Sequence, residues 1–294
     1  MKKVGFIGVG IMGKSMVRNL MKAGFELHIY ARTKSKVEDV IGEGAQFHES
    51  IKDCVQDCDA VITIVGFPQD VEEVYFDEGN ILDSAKEGAY LIDMTTTSPQ
   101  IAEKIYAEGT KRGYHVMDAP VTGGDTGAKA GTLSILVGGE KEDYEACMPL
   151  FEAMGTNINY QGKAGCGQHC KLANQIMIAG TLSGVCEAFT YAKEQGLDPE
   201  VFMKSVATGA AGSKQLDTFG PKILKDDYAP GFFMKHFIKD MKLALIEANR
   251  KGLSLDVLSM VLANYEELEQ EGYGDLGTQA LMKFYDEEHR NMEE

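Results

Sequence analysis

Val4-Gly5-Phe6-Ile7-Gly8-Val9-Gly10-Ile11-Met12-Gly13 opens the chain, and its reading decides the fold. Val4–Gly8 reads as a strand, and Met12–Ala23 carries Met, Val, Leu and Met at helical spacing. The glycines between them form a G-x-G-x-x-G string. Alone the string says little, but a strand running into it and a helix leaving it is the context in which it binds a dinucleotide. Gly8 allows the tight turn, Gly10 lets the backbone approach a pyrophosphate, and Gly13 lets the helix pack close to the strand. Backbone N–H groups at Ile11 and Met12, with the positive end of the helix dipole, then face the phosphates. The bland alternative is a glycine-rich turn that binds nothing. Two lysines before an apolar run also imitate a signal peptide, yet the glycines and the prompt Lys14 and Arg18 fit a strand entering a turn better.

Outward from this stretch, strands and helices alternate. Glu26–Tyr30, Ala60–Val65, Tyr90–Met94, His115–Asp118 and Leu133–Val137 read as strands. Lys34–Ile41, a stretch beginning at Val71–Tyr75, and Gln100–Lys111 read as helices. The alternation predicts an α/β fold with a Rossmann-type, doubly wound parallel sheet. Past residue 160 the strand signal stops. Gly162-Lys163-Ala164-Gly165-Cys166-Gly167 is a break, and Gln168–Gln195 suits one long interdomain helix. Amphipathic helices follow, separated at residues 196–199, 228–231 and 251–254. The 294 residues suffice for two domains: a nucleotide-binding Rossmann domain over 1–163 and an all-helical substrate and oligomerisation domain over 164–294. Long apolar helices in the second half predict a homo-dimer or homo-tetramer. The acidic tail at 286–294 is expected to fray.

Composition narrows the function. A formal net charge of -16 repels nucleic acid and anionic lipid. No run of 18 apolar residues exists to span a membrane. Cys54, Cys58, Cys147, Cys166, Cys170 and Cys186 lack zinc spacing, so no metal is expected and reduced thiols in a cytoplasmic protein are the simpler reading.

The end of the second strand bears on the cofactor. NAD sites usually carry an acid there for the ribose 2′-hydroxyl. This chain has Ala31-Arg32-Thr33-Lys34-Ser35-Lys36 instead. Arg32 can fork onto a 2′-phosphate, with Thr33 donating a hydrogen bond and Lys36 close by. The expectation is NADP(H) over NAD(H), with NAD(H) use still open; the alternative is a solvated basic loop. Val65-Gly66-Phe67-Pro68 and Asp93-Met94-Thr95-Thr96-Thr97-Ser98-Pro99 follow further strands and fit a nucleotide site. The second also reads as a Ser/Thr helix cap before Pro99.

Asp118-Ala119-Pro120-Val121-Thr122-Gly123-Gly124 ends a strand with a hydroxyl and two glycines, whose amides form a nest for a substrate carboxylate. The long helix opens Gly167-Gln168-His169-Cys170-Lys171-Leu172-Ala173-Asn174-Gln175, with Lys171 and Asn174 on one face. A lysine that snorkels to the surface is the plain alternative there.

These blocks, with Phe237-Ile238-Lys239-Asp240, occur in the order found in the β-hydroxyacid dehydrogenase family, which the chain resembles over nearly its whole length. That family includes 3-hydroxyisobutyrate dehydrogenases, tartronate semialdehyde reductases and glyoxylate/succinic semialdehyde reductases. The resemblance implies an NAD(P)-dependent oxidoreductase acting on a small carboxylate-bearing hydroxy acid or semialdehyde, with Lys171 as catalytic residue. It implies that Thr122, Gly123, Gly124, Asn174 and Gln175 hold the substrate. Thr96 and Lys239 join the cofactor-binding set, with Phe237 and Asp240 supporting them. Lys171 then donates a proton in reduction and accepts one in oxidation. A free lysine titrates near 10.4, and partial burial together with an oxidised nicotinamide lowers that.

Three departures stand out. Thr122 stands where the family often has Ser, and Gln175 replaces a second Asn, as in tartronate semialdehyde reductases. Lys214 occupies a position relatives commonly give to an aromatic residue; it either meets a second substrate carboxylate or faces water. The competing readings are weaker. Decarboxylating phosphogluconate dehydrogenases carry a K-x-x-H-N arrangement that Lys171-Leu172-Ala173-Asn174 lacks, and imine reductases usually lack the lysine. A non-catalytic dinucleotide-binding protein would need neither the lysine nor the glycine nest.

Overall fold

The computed structural model describes residues 1–286; most of the tail expected to fray, from 287 on, lies outside the described residues. The strands are β1 (Lys3–Ile7), β2 (Glu26–Tyr30), β3 (Gln46–Phe47), β4 (Ala60–Thr63), β5 (Tyr90–Asp93), β6 (His115–Asp118), β7 (Val121–Thr122), β8 (Leu133–Gly138) and β9 (Gly155–Gly162). Among and after them run the helices α1 (Ile11–Lys22), α2 (Glu38–Gly42), α3 (Ile51–Val55), α4 (Pro68–Phe76), α5 (Ile81–Ser84), α6 (Pro99–Lys111), α7 (Gly124–Ala130), α8 (Lys141–Ala146) and α9 (Met148–Met154). A wholly helical part follows: α10 (Cys166–Glu194), α11 (Pro199–Ala207), α12 (Lys214–Ile223), α13 (Met234–Arg250) and α14 (Asp256–Gln270). Contacts divide the chain into two compact units, Met1–Lys171 and the residues from Leu172 on. The first unit extends past the glycine-rich break because the first turn of α10 is bonded to the sheet.

Sheet order in the first unit is β3-β2-β1-β4-β5-β6-β8-β7, with β9 on β8. From β3 to β6 every pairing is parallel. The order reverses between β1 and β4, and at such a switch point the carboxyl ends of the strands frame a crevice for ligands. The expected doubly wound sheet is present, but it is mixed rather than wholly parallel: β8 runs antiparallel to β6 and β7. After β6 the chain doubles back through β7 and the short α7, with no long crossover helix to restore direction. Strand β9 has no apolar alternation, and only Gly155 of its residues is buried along the sheet edge; this is why the sequence hides it.

Burial follows from the apolar patterning. All four residues of β4 are buried, as parallel strands covered on both faces require. Gly13, Met16, Val17 and Leu20 of α1 line one helical face and are buried. On one side of the sheet α1, α7 and α9 close a core with Phe6, Ile29 and Ile62; on the other, residues of α3–α6 close a second with Ile7, Val61 and Leu91. The interval Lys34–Ile41, read as one helix, is a short 3₁₀ turn followed by α2.

In the second unit, α10, α12, α13 and α14 bury a core around Leu182, Phe189, Phe237, Met241, Val261 and Tyr265. The rings of Phe237 and Tyr265 meet edge to face at 5.4 Å. Pro199 starts α11 behind an Asp198 cap, the turn signal seen in the sequence. Among the described residues no helix is long and apolar enough to cross a membrane. The six cysteines are free thiols, four buried and two half-buried.

Ile62 lies in the middle of the sheet with no accessible surface. Ile62→Ala is expected to lower stability by about 2–5 kcal/mol. The check is a lower urea midpoint at unchanged m-value, followed by far-UV circular dichroism because the chain has no Trp. A midpoint equal to that of the parent would contradict this placement.

Candidate functional site

The turn after β1 has the geometry that a phosphate-binding glycine loop needs. Gly8 has φ +96°, and a Cβ there would sit 2.1 Å from the Ile64 carbonyl oxygen. A Cβ on Gly13 would sit 2.2 Å from the Gly8 oxygen. At Gly10 a Cβ would meet nothing within 4 Å. Two of the glycines are thus demanded by close packing inside the protein, while Gly10 faces open space where a pyrophosphate fits. Gly10 is the N-cap of α1, no side chain caps the helix, and its first turn holds no acid. Ile11 is exposed and Met12 half-buried at that helix end. Free amides with a positive dipole end suit an anion.

Beyond β2, Arg32, Thr33 and Lys36 are exposed. Arg32 does not stand alone: its Nη2 donates to Asp70 Oδ1 at 2.7 Å and to Glu73 Oε2 at 2.8 Å. The Asp70 hydrogen bond in particular raises the guanidinium's already high pKa. Neither acid was singled out in the sequence, because they lie 38 and 41 residues away on α4. After β4, Val65 and Gly66 are half-buried, and Val65 N donates to Thr95 Oγ1 at 2.9 Å.

The threonine run after β5 is divided in its roles. Thr95 and Thr97 are buried, and Thr96 is half-buried between them. Ser98 caps α6 ahead of Pro99, so the helix-cap reading holds there. Asp93 is wholly buried at the end of β5; its Oδ1 accepts from Thr63 Oγ1 at 2.8 Å and from Thr95 N at 3.1 Å. Burial pushes its carboxyl up to about 6, and hydrogen bonds from Thr95 and Thr63 pull it back only in part. Asp118 pairs in register with Asp93 across β5 and β6. Burial raises its pKa too, against backbone amides that favour the charged form.

Asp118 is the hinge of the site. Its Oδ1 accepts from Gly165 N at 2.7 Å and its Oδ2 from Gln168 N at 2.8 Å, so a strand-end carboxylate clamps the start of α10. A Cβ on Gly167 would lie 2.4 Å from the Leu136 oxygen, so only glycine allows this approach. The buried Gln168 side chain donates to Thr95 O at 2.7 Å and accepts from Thr97 N at 3.0 Å. One turn on, Lys171 has only 7% of its surface exposed. Sequence reasoning quoted Gln168 and Asp118 without giving either a task. The available signal was a polar pair, one at a strand end and one in the first turn of an apolar helix.

Thr122 is half-buried on β7, and Gly123 and Gly124 follow with φ +132° and +64°. Two successive amides in that conformation form a concavity suited to an anion. In the second unit, Asn174 Nδ2 donates to Gln175 Oε1, and Gln175 Nε2 to Asp240 Oδ2, both at 2.7 Å. Lys239 Nζ lies 3.0 Å from Asp240 Oδ1 as an ion pair. Phe237 and Asp240 are buried. Lys214 is exposed at the first position of α12. Among the described residues no cluster of His, Cys, Asp or Glu is arranged to hold a metal ion.

The family model for the NAD-binding domain of 6-phosphogluconate dehydrogenase matches residues 3–162, and that for the NAD-binding domain of NADP-dependent 3-hydroxyisobutyrate dehydrogenase matches 165–285. The chain belongs to the β-hydroxyacid dehydrogenase family. An uncharacterised oxidoreductase of Bacillus subtilis is 49% identical, over 97% of this chain and 99% of its own length. A probable mitochondrial 3-hydroxyisobutyrate dehydrogenase-like protein of Arabidopsis thaliana is 44% identical, over 95% of this chain and 84% of its own. The solved 3-hydroxyisobutyrate dehydrogenase of Mycobacterium tuberculosis with L-serine superposes at a TM-score of 0.88 with 27% identity, covering 96% of this chain and 98% of that one. As a member of the β-hydroxyacid dehydrogenase family, the protein is an NAD(P)-dependent oxidoreductase.

Unfolded, the Asp93 carboxyl releases its proton near the ordinary 3.8; folded, near 6. Between those values the folded state binds more protons than the unfolded state, so the stability contributed falls as pH rises through the interval. Stability of the parent relative to Asp93→Asn is therefore expected to drop by roughly 2–3 kcal/mol from pH 4 to pH 6 and to level off above. Urea titrations of both proteins at closely spaced pH measure it, and a constant difference would refute the buried, proton-retaining carboxyl.

Proposed function

We propose that this enzyme interconverts a small hydroxy acid and its carbonyl partner, of the 3-hydroxyisobutyrate or tartronate semialdehyde type, with NADP(H) as preferred cofactor and Lys171 as general acid and base. The carrying observation is the setting of Lys171: a lysine with 7% exposure, one turn into a helix whose first amides are bonded to Asp118. Lysine is among the residues least often buried, and a solvated spectator would keep its ammonium in water.

The glycine loop and the exposed start of α1 suit a dinucleotide pyrophosphate, and the bound nicotinamide supplies or takes up the hydride. Lys171 handles the proton. In reduction its ammonium donates to the carbonyl oxygen as alkoxide charge develops, and in oxidation its neutral amine removes the hydroxyl proton. The amides of Gly123 and Gly124 with the Thr122 hydroxyl suit the substrate carboxylate. Asn174 and Gln175 complete the polar set given to substrate, and Lys214 offers a second carboxylate partner. Arg32, Thr33 and Lys36 support selection of a 2′-phosphate. A homo-oligomer acting in the cytoplasm, with the nucleotide domain at 1–163 and the helical domain at 164–294, completes the reading.

Lys171→Ala is expected to lower turnover by roughly 10²–10⁴-fold while NADPH binding is retained. Absorbance at 340 nm with a panel of semialdehydes and oxo acids measures the first, and fluorescence titration the second. Unimpaired turnover would remove Lys171 from the chemistry. Arg32→Asp is expected to move the affinity ratio from NADPH towards NADH; an unchanged ratio would overturn the cofactor preference.

A further inference from the structure

The loop that carries the 2′-phosphate reading is less positive than its sequence suggests. Arg32 is shared by Asp70 and Glu73, and Lys34 Nζ lies 3.1 Å from Glu49. Among the described residues only Lys36, of the three cations, pairs with no carboxylate. Around Arg32 itself, one positive charge meets two negative ones.

The two acids are held differently. Asp70 is fixed: its Oδ2 accepts from Phe67 N at 2.9 Å and caps α4, and its side chain is 19% exposed. Glu73 is 51% exposed, and among the described residues its carboxylate bonds only Arg32. A phosphate arriving at Arg32 can displace Glu73 with no loss beyond that ion pair, whereas Asp70 stays in place through its cap.

We propose that Glu73, backed by Asp70, is a specificity-determining residue of this enzyme: it competes with the 2′-phosphate for Arg32 and holds down the preference for NADP(H) over NAD(H). This rests on the reading of Arg32 as the 2′-phosphate residue. The ion pair also pre-orients the guanidinium, which helps phosphate binding. Competition outweighs that help, because each carboxylate repels a dianion about twice as strongly as a single charge. NAD(H) brings no charge to Arg32 and leaves the pair intact.

The test measures Kd for NADPH and for NADH by fluorescence titration of the full chain, for the parent, Glu73→Gln, Arg32→Leu and the double variant. Glu73→Gln is expected to tighten NADPH by about three- to tenfold and to leave NADH within about twofold. In the Arg32→Leu background the gain disappears. If Arg32→Leu lowers the NADPH preference but Glu73→Gln does not raise it, Glu73 is a spectator and the proposal fails while the reading of Arg32 survives. If Arg32→Leu leaves the preference unchanged, both fail. Higher salt weakens exposed ion pairs, so the gain from Glu73→Gln shrinks between low and high ionic strength.

Discussion

The clamp of Asp118 on the first turn of α10 is the contact on which the site depends. Helix starts leave amides without partners. Here two of them are taken by one buried carboxylate at the end of β6. The charge offsets the helix dipole, and the bonds offset the cost of removing the carboxylate from water. Gln168 adds bonds to the loop after β5. The position of Lys171 is thereby fixed by the sheet, and the helix carries it as a rigid arm. In the proposed role, an amine placed in this way loses little freedom on meeting a reacting oxygen.

Two buried carboxyls side by side are costly, and the protein gives them different surroundings. Asp118 receives backbone N–H donors that favour the charged form. Asp93 has hydroxyl and amide donors on one oxygen, while its Oδ2 has no hydrogen-bond partner among the described residues. Burial raises both carboxyls, but the amide donors on Asp118 oppose that rise, while Asp93 is pushed up to about 6.

Much of the first unit was legible because parallel strands covered on both faces must be apolar throughout. β2 and β6 fall on the residues read as strands, β4, β5 and β8 differ only at one end, and β1 is shifted by one residue. The glycine loop was legible because Gly8 and Gly13 answer steric demands of the packing, while Gly10 leaves space open at the helix start. Hidden features have two physical causes: their partners are distant in sequence, or their side chains face water. Strand β9 is a polar edge, the antiparallel turn of β8 is set by tertiary pairing, and the partners of Arg32 come from α4. Gln168 and Asp118 stood in quoted motifs, yet their bond joins residues fifty apart, a relation that only the fold creates.

The bare N-terminus of α1 has a consequence for the life of the protein. With Gly10 at the N-cap, α1 forgoes the side-chain cap that Ser50, Ser98, Asp198 and Ser213 give to α3, α6, α11 and α12, and its first amides stay open to a ligand. A dinucleotide phosphate seated there would take the place of that cap, and the folded state would then gain stability with the free dinucleotide concentration by mass action.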